Sequence, residues 1–261
     1  MSDVRSDELF AVALSGDWDS DDAWKAVSEL QLLGTQAVLE RAIALTSSEN
    51  AYYRARGADI LGQLGVKSGT RSTSFIQQRL KALLDLLQRE TDPLPLSSAI
   101  SALGHVDELE GIEEILRFRH HPSVEVRWHV ASALRGRDKP EIVETLIELM
   151  QDSEPTIRDW ATFGLGTQTN ADSDHVREAL LQRTTDIDQD TREEAIYGLA
   201  KRKDQRAIAP LLIALGEPEY GSRMIEAASE LLDHGPDDQE LTASEYIDRI
   251  REKYTSPSQS P

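Results

Sequence analysis

YRARGADIL at Tyr53–Leu61, VRWHVASAL at Val126–Leu134, IRDWATFGL at Ile157–Leu165 and TREEAIYGL at Thr191–Leu199 are four versions of one phrase. Each sets an Arg, then a small residue three or four positions on, then a Leu seven positions on. Residues so spaced share one face of a helix, so small side chain and Leu point the same way. The Arg residues are Arg54, Arg127, Arg158 and Arg192, and the last three are separated by steps of 31 and 34. A repeat at that period predicts stacked helical hairpins, each burying its apolar face only against its neighbours.

Weaker copies extend the series when they are aligned on the terminal Leu. The aligned Leu is Leu33 in KAVSELQLLG, Leu103 in LPLSSAISALG and Leu231 in MIEAASELL, which puts Ala26, Leu96 and Met224 in place of the Arg. The seven positions are then spaced 28, 42, 31, 31, 34 and 32 residues apart. The long step contains the Gly/Ser/Thr-rich insertion VKSGTRSTSF, which reads as a longer loop. Between the copies lie second helices with a Leu/Ile stripe, as in IVETLIELM (Ile142–Met150), HVREALLQR (His175–Arg183) and AIAPLLIAL (Ala207–Leu215). Ile112, Ile115 and Leu116 continue that stripe, as do Ile76, Leu80, Leu83, Leu84 and Leu87. No segment alternates as a strand would. Extra helices are expected near Asp7–Leu14 and Ala243–Lys253 as solubilising end caps. Residues 255–261, Ser/Pro-rich and without apolar content, read as a disordered tail.

The chain has 261 residues, 39% hydrophobic, with 28 basic against 47 acidic side chains and a net charge of −19. Such a surface repels phosphate backbones, so a nucleic-acid partner is not expected. The acidity is uneven: residues 1–50 carry 3 basic and 10 acidic side chains, 51–150 carry 13 and 14, and 151–261 carry 12 and 23, for which a cationic partner surface is the natural complement. The sequence has no Cys, hence no disulfide framework and no thiolate site. The N-terminus carries acids where a signal peptide needs positive charge, and no stretch approaches the roughly 20 apolar residues of a membrane span. A cytoplasmic protein, monomeric when unbound, is the expectation.

These hairpins resemble HEAT repeats of the short bacterial kind first associated with phycobilin lyases, over about residues 20–235. The resemblance rests on the Arg/small/Leu helix and implies an all-α fold: a right-handed α-solenoid of about seven HEAT-like hairpins with terminal capping helices, one unit over residues 1–254. IRDWATFGLG and TREEAIYGLAKRKDQRA are also similar to a subgroup of small bacterial HEAT-like proteins, some of them encoded beside polymorphic toxins and suspected of being immunity partners.

The resemblance further implies a polar ladder of loop residues. Asp152 lies six residues before Arg158 and Asp186 six before Arg192, whereas Arg127 has His121 there. A guanidinium with five donors can tie loop carbonyls and a carboxylate together. Arg54, Arg127, Arg158 and Arg192, with Asp152 and Asp186, are therefore expected to be structural. Small residues such as Ala131, Ala161 and Ala195 are expected where the helix meets its neighbour. The Gly after Leu61, Leu103 and Leu165 is expected to end its helix in the left-handed conformation.

In HEAT repeats this helix lines the concave surface, so positions one, two and five after the Arg become candidate contact residues. These are Arg56 and Asp59; Ser97, Ser98 and Ser101; Trp128, His129 and Ser132; Asp159, Trp160 and Phe163; and Glu193, Glu194 and Tyr197. The middle of the surface is aromatic and acidic, which suits anchoring by Trp and Tyr and orientation by carboxylates. Trp128 and Trp160 fit either an open groove or a half-buried place between repeats.

Chemistry is not expected. HEAT-like deoxyhypusine hydroxylase needs paired His-Glu dipeptides, and none of the six His here is followed by Glu. His120 and His121 have no second cluster to complete a ligand set, so no metal or cofactor is expected. HExxH, P-loop and GxGxxG motifs are absent. Lys201, Arg202, Lys203 and Arg206 form one basic knot, read as part of a turn. The expected function is a non-enzymatic scaffold that binds a basic protein partner, of the immunity type by resemblance. A lyase-like or accessory role on a prosthetic group or modified protein is the alternative.

Overall fold

The computed structural model describes residues 2–15, 19–66, 72–235 and 241–255. Among these residues the regular structure is helical, with fifteen α-helices and no strand. The chain divides into two compact units, Met1–Leu134 and Arg135–Pro261.

The first unit holds α1 (Ser2–Ala13), α2 (Asp21–Leu33), α3 (Gln36–Leu45), α4 (Ala51–Gly62), α5 (Ile76–Arg89), α6 (Pro93–Val106), α7 (Leu109–Ile115) and α8 (Val124–Leu134). They pair in chain order as hairpins, and α2, α4, α6 and α8 stack side by side as one layer. The second unit holds α9 (Pro140–Leu149), α10 (Pro155–Gly166), α11 (Asp174–Arg183), α12 (Gln189–Lys201), α13 (Ile208–Leu215), α14 (Ser222–Leu232) and α15 (Ala243–Thr255). Here α10, α12 and α14 form the layer, and α15 packs on α13 and α14. Helix α1 is less a cap than the first half of the first hairpin: Phe10 and Ala13 are buried where it meets α2. Thr255 closes α15, while 256–261, where the tail was expected, and 67–71 of the long insertion lie outside the described residues.

Several of the phrase helices start where a side chain can hold their first N–H groups. Asn50, Asp92 and Asp188, each four residues before the phrase position, accept hydrogen bonds from the N–H of Tyr52, Leu94 and Thr191. These are N-caps, with Pro93 and Pro155 set in first turns that need no N–H. Their buried stripes then carry the stack: Ala58, Ala131, Ala161 and Ala195 are fully buried, as are Leu61, Leu103, Leu134, Leu165 and Leu199. Leu33 departs from this set and is half-buried, because α2 buries Ala23, Ala26, Val27 and Leu30 instead.

The glycines after the Leu do not end their helices as expected. Gly62, Gly104 and Gly166 are not among the residues with positive φ, and a left-handed cap is taken instead by Gly34, Asp107 and Asp233. Close approach explains the three. A methyl group added at Gly62 would lie 3.0 Å from the Cα of Ala102, and one at Gly104 3.0 Å from the Cβ of Ala133. Gly166 and Gly198 face each other so closely that a methyl on Gly198 would come within 2.8 Å of the Gly166 Cα. Missing side chains at the crossings let adjacent phrase helices pack backbone to backbone.

Candidate functional site

The repeated Arg serves the loops. Nη1 of Arg54 donates to the carbonyls of Ser48 and Glu49, both at 3.0 Å. Arg127 does the same with His121 and Pro122, Arg158 with Asp152 and Ser153, and Arg192 with Asp186 and Ile187. In every case the acceptors are six and five residues back, so each guanidinium closes its own hairpin loop.

The carboxylate of the ladder comes from the following repeat. Arg158 makes a two-pronged pair with Asp186, at 2.8 and 2.7 Å, while its hydrogen bond to Asp152 goes to the carbonyl. That corrects the expected pairing with the Asp152 side chain, whose Oδ1 accepts the Glu154 N–H instead. Arg54 likewise grips Glu90 at 2.6 and 3.0 Å. Glu90 stands six residues before Leu96, the position Asp186 holds before Arg192, a spacing that would have revealed it. Each of these carboxylates also accepts the N–H two residues ahead, from Asp92 or Asp188. The Arg158 hydrogen bonds, then the pull of the neighbouring charges, hold Asp186 below its ordinary range despite burial. For Glu90 burial pushes upward, but the bonds from Arg54 and two backbone N–H groups outweigh it.

The expectation that positions one, two and five are open fails at the first unit's N-terminal end. Arg56 is fully buried, with Nε donating to the Ala13 carbonyl and the guanidinium lying over Trp24. Ser97 and Ser98 are buried too. The final turn of α1 and the ring of Trp24 cover this end, and burial lifts the Asp59 carboxyl to about 6 against the pull of Ser98 and Arg56. On α8, Trp128 and His129 are half-buried with their rings edge to face at 4.8 Å. Burial lowers His129 to about 4, which keeps it neutral at pH 7.

The second unit brings Asp159, Trp160 and Phe163 of α10 and Glu193, Glu194 and Tyr197 of α12 onto its phrase-helix layer, all half-buried. Arginines missed from the sequence cover the rings. The Arg135 guanidinium sits 4.4 Å from the centre of Trp160 and 5.8 Å from that of Phe163, and Trp160 meets Phe163 edge-on. Arg223 lies 4.8 Å over Tyr197 and donates to Glu194 at 3.1 Å. Cation–π contacts of this kind hold a guanidinium over the face of the ring. Glu194 also accepts from the Thr167 hydroxyl, and Glu193 accepts from the Gly221 N–H at the start of α14. These two acids are therefore engaged within the layer rather than presented for a partner.

Asp159 differs. Its carboxyl makes no hydrogen bond and no ion pair with the described residues, yet it is half-buried near Asp190, Glu194 and Asp188. Burial first, and then those three charges, raise its carboxyl to about 7. A folded value above the unfolded 3.8 means the charged form opposes folding: the cost is absent below about pH 4 and complete above about pH 7. Asp159→Asn is thus expected to melt like wild type at pH 4 and above it at pH 8, as read by parallel thermal melts.

The basic knot is consumed structurally. Lys201 holds the carbonyls of Thr167 and Thr169, Arg202 is buried against the end of α10, Lys203 pairs with Asp233, and Arg206 grips Asp204. His121 sits in a loop, with Nδ1 accepting the Ser123 N–H. Among the described residues no group of His, Asp and Glu is placed to hold a metal ion, and no helix is long and apolar enough to cross a membrane.

Comparison with known proteins agrees with this architecture. A model described as HEAT repeats matches residues 80–166 and 143–233. Protein YibA of Escherichia coli is 27% identical over 239 residues, covering 88% of this chain and 81% of YibA. The X-ray structure of YibA is similar over 96% of this chain and 95% of that one, at a TM-score of 0.73 and 23% identity. An engineered protein is similar over 98% of this chain and 75% of its own, with a TM-score of 0.58 and 16% identity. The CpcE–CpcF complex of phycocyanin lyase from Nostoc sp. PCC7120 reaches only 0.44, at 18% identity over 88% and 82% of the two chains, which carries no argument about function. The chain, an all-α stack of helical hairpins with its phrase-helix layer built on the Arg ladder, belongs to the HEAT-repeat family.

Proposed function

We propose that this protein is a non-enzymatic scaffold whose second unit captures a basic protein surface on the layer of α10, α12 and α14. The observation that carries this reading is the Asp159 carboxyl: half-buried, without a hydrogen bond to the described residues, and close to three acids. A Lys or Arg arriving from a partner would supply the missing counter-charge, and the stem of that side chain would lie along the aromatic edges. The net charge of −19 would speed the encounter. A toxin domain with a cationic surface is the partner class that the immunity-type resemblance suggests, and the protein would act in the cytoplasm as a monomer until bound.

The test begins with capture of the partner from the native host and proceeds to binding measurements on purified proteins. Because a partner cation favours charged Asp159, affinity should rise between pH 5.5 and 7.5 and fall with salt. Asp159→Asn should abolish the pH dependence, and Trp160→Ala should weaken binding tenfold or more if the ring is an anchor worth about 2 kcal/mol. Melting of each variant alongside separates loss of contact from loss of fold. Unchanged affinity in folded Asp159→Asn and Trp160→Ala proteins would place the interface elsewhere.

A further inference from the structure

At Arg192 the ladder lacks a carboxylate among the described residues. Arg54 meets Glu90, six residues before the next phrase position, and Arg158 meets Asp186 in the same way. For Arg192 the equivalent place, six before Met224, is Pro218. Nη1 of Arg192 holds the carbonyls of Asp186 and Ile187, and no carboxylate among the described residues meets its guanidinium. Beside it lies a groove of about 240 Å³ whose apolar lining includes Ile196, Pro210, Ile213, Ala214 and Tyr220. Ile213 is 68% exposed and Tyr220 37%, large apolar areas to leave in water. Glu193, also in the lining, is spent on the N–H of Gly221. Glu217 is the other acid there, and it disfavours a ligand carrying several negative charges.

We propose that this groove binds a peptide segment carrying a single carboxylate next to an aliphatic side chain. The carboxylate would take the place that Asp186 takes on Arg158, across the Nε and Nη2 edge of Arg192. The aliphatic group would lie between Ile196, Ile213 and Tyr220. Charge complementarity chooses the ligand: at Arg54 and Arg158 the ladder guanidinium grips a carboxylate two-pronged, and at Arg192 no acid of the described residues does so. The site stands apart from Asp159 and does not depend on the basic partner proposed above.

The probe is a capped synthetic peptide containing Leu-Asp-Leu, titrated into full-length protein carrying methyl-labelled isoleucine and followed by NMR. The Asp peptide should shift the Ile196 and Ile213 methyls and bind at least tenfold more tightly than its Leu-Asn-Leu counterpart. Arg192→Gln should remove that preference. Because Arg192→Gln also loses two loop hydrogen bonds, a second variant leaves the Arg intact: Pro218→Glu should fill the rung from within, raise the melting temperature and exclude the peptide. Equal shifts from the Asp and Asn peptides, shifts at methyls other than these, or unaltered peptide binding in Pro218→Glu would each overturn the proposal. So would equal shifts from inorganic phosphate, which would reduce the site to simple anion binding, or a sedimentation change showing that a second copy of the chain fills the groove.

Discussion

An Arg158→Ala protein is expected to lose about 2–4 kcal/mol of unfolding free energy, somewhat less than the roughly 3–5 kcal/mol for breaking a fully buried ion pair by removing one partner. Both ends are well covered: the Arg158 side chain is 10% exposed and that of Asp186 3%. Removal also strips the carbonyls of Asp152 and Ser153 of their donor. The loss falls short of the extreme because Asp186 keeps the Arg183 guanidinium at 3.0 Å and the Asp188 N–H. The pH dependence has a definite sign. Asp186 is held below its ordinary 3.8, first by the Arg158 hydrogen bonds, so the stabilisation is complete above about pH 4 and disappears as pH falls through the lower folded value. Urea unfolding at pH 7 and at pH 3 should therefore show a wide gap between wild type and variant that narrows in acid. An Arg158→Ala protein with the wild-type midpoint at pH 7 would remove the ladder from the account.

Arg202→Met should cost about as much or more, on the order of 4 kcal/mol, by a different route. Among the described residues Arg202 has no direct carboxylate partner. Its five donors satisfy the carbonyls of Leu165 and Gly166 at the end of α10, of Gly198 within α12 and of Ala171 in the loop between. Helix ends leave carbonyls that need such partners, and each buried one left bare costs about 1–3 kcal/mol. Burial lowers the Arg202 pKa, with Asp172 partly offsetting it, but the group stays charged at neutral pH. The deficit in Arg202→Met should consequently stay nearly constant from pH 5 to pH 9, unlike the acid-sensitive deficit of Arg158→Ala. A wild-type unfolding curve for Arg202→Met would mean that water serves these carbonyls equally well.

Periodicity accounts for what was legible beforehand. Ala161, Leu165, Ala195 and Leu199 recur because each hairpin buries the same stripe, so helices and repeat order could be read from spacing alone. Partners across repeats were less accessible. Asp186 was visible as an acid six before Arg192, but its real partner, Arg158, lies 28 residues away, and helical spacing says nothing of that contact. Arg202 was noticed only as part of a basic knot, since its acceptors are backbone carbonyls, which every residue carries. Gly62, Gly104 and Gly166 were assigned to helix ends by a local rule, whereas the close crossing of neighbouring helices decides their identity. The candidate contact residues were chosen by their place on one helix face, and which of them are covered was not readable: Arg56, Ser97 and Ser98 are buried. Arg135 and Arg223 cover the rings, and both sit just outside the phrase that drew attention.

The central claim is that the repeated Arg builds the fold while the residues beside it on the second unit's phrase helices meet a basic partner. Amide hydrogen exchange on the purified protein, alone and with its captured partner, tests this most directly, because it maps the contact without altering any residue. The account predicts slowed exchange in the segments spanning residues 155–166, 189–201 and 222–232, with little change in α9, α11 and α13. Slowing confined to α9, α11 and α13, or to the first unit, would contradict it.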